Sequence, residues 1–238
     1  MVSRIDLGEI PIDVVRKDIK NIHLSVNPPD GKVRISAPSR IGLDTLRVFA
    51  ISKLAWIKKE QRKMREQERE TPREYIERES HYLWGKRYLM DVVEAEQSPS
   101  VEIKHKKLVL SVRPGAPEKK RREVIDEWYR ASLREKAIPM ISKWESRLGV
   151  KVNRLFVQRM KTRWGSCNPE RGYVRINTHV AKKPAKCLEY LIVHEMLHMI
   201  EPTHNANFIA LLEKHMPQWE QLRRLLNRLP VSHEEWRY

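Results

Sequence analysis

Apolar and polar residues alternate at two places near the start of the chain: Ile22, Leu24 and Val26, then Val33, Ile35 and Ala37. A period of two lays each set on one face of a strand, and Asn27-Pro28-Pro29-Asp30-Gly31 between them has turn chemistry, so the pattern predicts a hairpin. From Leu43 the spacing becomes helical through Leu46, Phe49, Ile51, Leu54 and Ile57. This predicts one long helix, capped by Asp44 or Thr45, that runs out in charge near Glu70 and is broken at Thr71-Pro72. Short strands are expected around Tyr88 to Val93, Val101 to Ile103 and Leu108 to Val112. Pro114-Gly115-Ala116-Pro117 then marks a boundary.

Beyond it, helical spacing resumes from Glu118 to Leu148 through Val124, Trp128, Leu133, Ile138 and Ile141, with Pro139 as a candidate kink and Gly149 as the C-cap. Two β-like runs follow, Leu155 to Met160 and Tyr173 to Val180. The Gly-, Asn- and Pro-rich stretch from Arg163 to Gly172 between them reads as the turn of a hairpin. The segment from Pro184 to Glu201 is apolar nearly all round, which predicts a buried helix that Pro202 ends. A last helix carries Trp219, Leu222, Leu225 and Leu229 on one side and Arg223, Arg224 and Arg228 on the other. The expected fold class is α+β: a β-rich region with a long helix over residues 1–115, and a second domain, 116–238, built on the buried helix and a β-hairpin. The sequence carries no internal repeat.

The buried helix contains His194, Glu195 and His198. Burying such groups without partners costs several kcal/mol, so hydrogen bonds or a metal must satisfy them. Histidines four apart share one helix face and can reach a single tetrahedral ion, while the glutamate between them sits where it can take a proton from an attacking water. A third ligand is required. His204 is the best placed, because Pro202 turns the chain back; Glu201 competes, and Glu213 and His215 are more distant alternatives. The pattern therefore points to a zinc-dependent hydrolase. Arg159, Lys161, Arg163 and Trp164 in the preceding hairpin are secondary candidates for contacting a substrate. Each has a plainer reading as a solvated strand face or a packing tryptophan.

Composition changes this picture in one respect. The chain has 47 basic against 31 acidic residues, a formal charge of +16, enough to attract phosphate-bearing partners before any specific contact forms. Much of the excess lies in mixed runs such as Lys58-Lys59-Glu60-Gln61-Arg62-Lys63, whose ordinary explanation is a solvated helix face. No apolar run is long enough to cross a membrane, and the start of the chain lacks the pattern of a signal peptide. With two cysteines, Cys167 and Cys187, and hence no disulfide framework, the cytoplasm is the expected compartment.

The run Arg163-Trp164-Gly165-Ser166-Cys167-Asn168, then Leu188-Glu189-Tyr190, His194-Glu195-Met196-Leu197-His198 and His204-Asn205-Ala206-Asn207-Phe208, resembles the YgjP-like metal-dependent hydrolases. The resemblance extends to Arg16-Lys17-Asp18-Ile19-Lys20-Asn21 and Arg34-Ile35-Ser36-Ala37-Pro38, and so to nearly the whole chain. That family is similar in its active-site helix to the SprT-like zinc metallopeptidases. The resemblance implies a zincin-like C-terminal part with zinc on His194, His198 and His204 and Glu195 as general base. The glycine of the metzincin extension is missing. A metallopeptidase acting on peptide or protein is the leading expectation. Behind it stand a metal-dependent nucleoside triphosphate pyrophosphatase and a nucleic-acid-associated protease or binding module.

Overall fold

The computed structural model describes residues 2–27, 31–66, 73–160 and 163–228. The tip of the expected first turn, the helix beyond Glu66 with its break at Thr71-Pro72, Lys161, and Leu229 lie outside the described residues. What is described falls into two compact units, residues up to 66 and residues 73–228. The expected boundary after Gly115 lies inside the second of these.

The first unit contains the anticipated hairpin, β3 (His23–Asn27) against β4 (Lys32–Ala37), with Val26 opposite Val33 and Leu24 opposite Ile35. Two strands that the sequence reading did not pick out precede it, β1 (Val2–Leu7) and β2 (Ile10–Arg16). They complete a four-stranded sheet ordered β1-β2-β4-β3, in which β2 and β4 run parallel. Ile10, Ile12 and Val14 join Val33, Ile35 and Ala37 on its buried face. The expected single helix is two, α1 (Leu43–Ser52) and α2 (Leu54–Glu66), and α1 is capped by Gly42 rather than by Asp44 or Thr45. The break has a local cause: the Ser52 hydroxyl donates to the Phe49 carbonyl, and the Lys53 amide bonds back to Ala50 in a tightened turn. Leu46, Ala50 and Ile57 close the core, whereas Ile51 is exposed.

The second unit opens with another four-stranded sheet, β5 (Ser80–Leu83), β6 (Lys86–Glu94), β7 (Ser100–Lys104) and β8 (Lys107–Val112), ordered β5-β6-β8-β7. Its pairing senses repeat those of the first sheet: antiparallel, parallel, antiparallel. The repeat is one of topology, which the sequence does not show. The helix α3 (Glu118–Leu148) ends at Gly149 in the left-handed conformation, as expected. Its buried stripe is Ile125, Tyr129, Leu133, Ala137, Ile141 and Trp144, and Ile138 points to solvent.

A three-stranded sheet follows, from β9 (Arg154–Gln158), β10 (Gly165–Asn168) and β11 (Tyr173–Asn177), in the order β10-β11-β9. Here the expected hairpin is corrected. The two runs flanking Arg163 to Gly172 pair in parallel, β9 with β11, and the hairpin is made by β10 and β11. Gly165-Ser166-Cys167-Asn168 has the composition of a turn but pairs as a strand, from Gly165 opposite Ile176 to Asn168 opposite Tyr173. The helices α4 (Ala185–Leu197), α5 (Ala206–His215) and α6 (Trp219–Arg228) complete the unit. Among the described residues no helix is long and apolar enough to cross a membrane, and both cysteines are free thiols.

Candidate metal centre

Nine of the thirteen residues of α4 are buried, from Cys187 and Leu188 through Tyr190–Val193 to Glu195–Leu197. Each fully buried aliphatic side chain contributes about 1.5–3 kcal/mol, so this helix is anchored along its whole length. Pro184 precedes it, and the Trp84-Gly85 turn between β5 and β6 docks beside its start. There Trp84 N donates to Ala181 O (2.8 Å), and Gly85, at φ 79°, leaves room for the Pro184 ring. Midway, Glu189 accepts from Trp144 Nε1 (3.0 Å) and Lys143 Nζ (2.9 Å) and ties α4 to α3. The helix closes at Leu197, four residues before the expected end, with His198 as its C-cap. The chain then turns through bonds from Met199, Ile200 and Glu201 back to Met196 and Leu197.

That early turn brings the third imidazole back over the first two. One ring nitrogen from each of His194, His198 and His204 lies within 4.8 Å of the others. His194 Nε2 and His204 Nε2 are 3.0 Å apart, close to the separation of about 3.3 Å for two nitrogens on one tetrahedral zinc. Their ring centroids lie 4.6–5.1 Å apart, with His198 edge to face against both His194 and His204, and Phe208 in the first turn of α5 lies against all three. His198 directs Nδ1 at the Glu201 carbonyl (3.2 Å), which leaves Nε2 for a ligand and fixes the tautomer. Among the described residues, buried His194 Nδ1 has no hydrogen-bond partner. Burial, reinforced by His198, His204 and Arg223, pushes the His194 imidazole down to about 3. Burial also lowers His198, against the opposing bond to Glu201. Three imidazoles that converge in this way, with His194 and His198 kept from protonation by burial, are a donor set that fits a divalent metal.

Glu201 is occupied elsewhere. Its carboxylate accepts from the Thr203 amide and hydroxyl (3.3 and 3.0 Å), and Asn205 Nδ2 reaches the same hydroxyl (3.2 Å). Asn205 also caps α5 through the Phe208 amide (3.0 Å). The loop that presents His204 is thus braced within itself. His215 packs on Trp144 instead of joining the cluster.

Glu195 turns inward beneath β10 and is 5% exposed. Burial raises its carboxyl to about 7, with the Arg163 guanidinium pulling the other way. Gly165 lies directly over it, and the neighbouring Cys167 thiol is pushed up to about 11 by burial and by the charge of Glu195. Of the residues expected to contact a substrate, Arg163 is exposed and close enough to act on Glu195. Arg159 pairs with Asp126 of α3 (3.4 Å), and Trp164 is half-buried with Lys183 over its ring.

Sequence reasoning assigned no role to Gly165, Asn177 or Phe208. Asn177, 4% exposed, donates to the carbonyls of Met160 (2.7 Å) and Arg163 (2.9 Å) and accepts from the His179 amide (3.1 Å). It holds both ends of the segment leading into β10.

Comparison with solved structures finds partial likenesses. The metallopeptidase zymogen abylysin of Pyrococcus abyssi is 18% identical, with a TM-score of 0.36, over 40% of this chain and 99% of that one. The metallopeptidase zymogen jannalysin of Methanocaldococcus jannaschii is 16% identical, with a TM-score of 0.35, over 38% of this chain and 87% of its own. No curated protein matches. The sequence model of the YgjP-like metallopeptidase domain matches residues 20–229, and on that extent the chain belongs to the YgjP-like family.

Proposed function

We propose that the protein is a zinc-dependent peptidase in which His194, His198 and His204 hold the metal and Glu195 is the general base. The observation that carries this reading is the convergence of three imidazole nitrogens within 4.8 Å of one another, one from α4, the helix that also buries Glu195, one from its C-cap and one from the loop beyond. When bound, zinc supplies Lewis acidity and lowers the pKa of a water toward about 7. The Glu195 carboxyl, next to His194 on the same helix, takes a proton from the attacking water and returns it to the departing amide nitrogen.

The peptide bond is favoured over a phosphoanhydride on two grounds. β10 is the edge of its sheet, so its outer backbone groups can pair with an extended peptide laid beside the centre. A triphosphate, in contrast, calls for several cations at the site, and Arg159 is engaged with Asp126. Among the described residues expected to contact a substrate, Arg163 is then the exposed cation close to Glu195, a fit for one carbonyl or carboxylate.

The test is the appearance of new N-termini when zinc-loaded wild type and Glu195→Gln are incubated with an unfolded protein. Cleavage by wild type alone supports the assignment. A zinc-bound wild type that produces none overturns it, and release of diphosphate from nucleoside triphosphates then becomes the reaction to measure.

A further inference from the structure

From Lys151 to Asn177 the chain carries seven basic residues and one acidic residue, Glu170. Two of the seven meet on the three-stranded sheet. Gly165 covers Glu195 on one face of β10, and alternation along the strand puts Ser166 on the other. Ser166 lies opposite Arg175, Arg175 beside Phe156, and Tyr173 beside Arg154, so these side chains, with Gln158, share the face turned away from Glu195. Val157, Val174 and Ile176 alternate with them and are buried in the core, on which neither Phe156 nor Tyr173 packs. Both arginines stack on Phe156 instead, with Cζ at 4.7 Å (Arg154) and 5.0 Å (Arg175) from the ring centroid. Tyr173 meets the same ring at 5.5 Å and 68°, so neither aromatic face lies flat on the other. Among the described residues no carboxylate pairs with either guanidinium, and Glu170 sits in the turn beyond Asn168, next to Arg171. A guanidinium stacked on a ring keeps its N–H donors free at the rim.

We propose that this face of the sheet binds a single strand of nucleic acid, with Arg154 and Arg175 holding its phosphates and Tyr173 offering a surface to an unstacked base. Cations set beside aromatic rings on an open sheet face are the combination that holds single strands. Ser166 and Gln158 add a hydroxyl and an amide that can bond base edges. An acidic peptide or a lone phosphate would engage the guanidinia and leave the rings unused, and a duplex keeps its bases stacked on one another. The face lies on the reverse of the strand that covers Glu195, and its occupancy requires neither the metal nor the peptidase chemistry.

The experiment is fluorescence anisotropy of the full chain with a labelled single strand of about 20 nucleotides, between about 50 and 200 mM salt. R154Q/R175Q is expected to weaken binding at least about tenfold and to flatten the slope of log K against log salt by about 1.4, the value for two phosphates of a single strand. Tyr173→Leu is expected to lose about tenfold with the slope kept. K58Q/K59Q removes the same charge from α2 and is expected to bind as wild type. If the double variant does not fold, Arg154→Gln at its exposed position carries the test alone, with a change of slope of about 0.7. The proposal is overturned by a wild type that does not bind the strand, by R154Q/R175Q or Tyr173→Leu binding as wild type, or by an equal loss in K58Q/K59Q, which would leave net charge as the cause. Equally tight binding of a duplex of the same length, or displacement of the strand by polyglutamate at equal charge concentration, overturns it as well.

Discussion

A Cβ built on Gly165 would stand 2.7 Å from Oε1 of Glu195 and 3.0 Å from its Cδ and Cγ. The strand and the carboxyl therefore fit together only because position 165 has no side chain. Gly165→Ala is expected to fold, at a cost of about 1–3 kcal/mol for overpacking, and to lose about a hundredfold in kcat/KM, since a displacement of about 1 Å at a reacting group has that effect. Peptidase kinetics together with a melting curve check it; an alanine variant of wild-type activity would show that Glu195 works from another position.

Metal loading separates the two carboxyl-terminal candidates for the third ligand. Free zinc at about a hundred times its Kd stabilises by about 2.7 kcal/mol, which for a unit of this size raises Tm by roughly 5–10 °C. His204→Ala is expected to abolish that rise, and Glu201→Gln to keep it, because Glu201 is turned to Thr203. The reverse outcome would exchange their roles.

Asn177→Ala removes two donors and one acceptor from a buried position. Leaving carbonyls of this kind unpaired costs about 1–3 kcal/mol each, so the urea midpoint should fall by the equivalent of about 2–4 kcal/mol. Asn177→Asp keeps the acceptor for His179 but sets a carboxylate oxygen against the two carbonyls at a buried position, so it should be no more stable than the alanine variant. An unchanged midpoint in both would mean that water replaces the amide.

The Glu79 and His81 pair, 3.1 Å apart, predicts acid sensitivity. Burial lowers the His81 imidazole, with Glu79 opposing. For Glu79 burial acts to raise the carboxyl, but the bond and charge of His81 and the amides of Tyr75 and Glu74 outweigh it and leave it low. Both folded values lie below the unfolded ones, so both groups favour unfolding as protons are added. The His81 contribution is intact above 6.5 and is lost as pH falls below that value; the Glu79 contribution is intact above 4.5 and is lost below it. His194 and His198 are lowered as well, so the measurement is the difference in Tm between wild type and His81→Phe at each pH. That difference should shift in favour of the variant as pH falls through 6.5, and a constant difference would remove His81 from the explanation.

What the sequence made legible was local. The clustering of His194, His198 and His204 was legible because a spacing of four on an apolar helix and a proline just beyond it are short-range signals, and the strands at 101–103 and 108–112 because they alternate. Pro11 interrupts the pattern of Ile10, Ile12 and Val14, and β5 has only four residues, so those strands left little trace. The parallel pairing of β9 with β11 joins segments separated by the whole of β10, and no turn signal encodes it. Gly165 is harder still. Its function lies in an absence, and the group it makes room for comes 30 residues later in the chain.

The loop that carries His204 has a consequence of its own. The hydrogen bonds named for it run among His198, Glu201, Thr203, Asn205 and Phe208, whereas His194 is fixed by the packing of α4. His194 thus belongs to the helix, His198 joins the helix end to the loop, and His204 is carried by the loop alone. Substitutions in the loop are then expected to change how closely His204 approaches the other two rings, while α4 stays as it is.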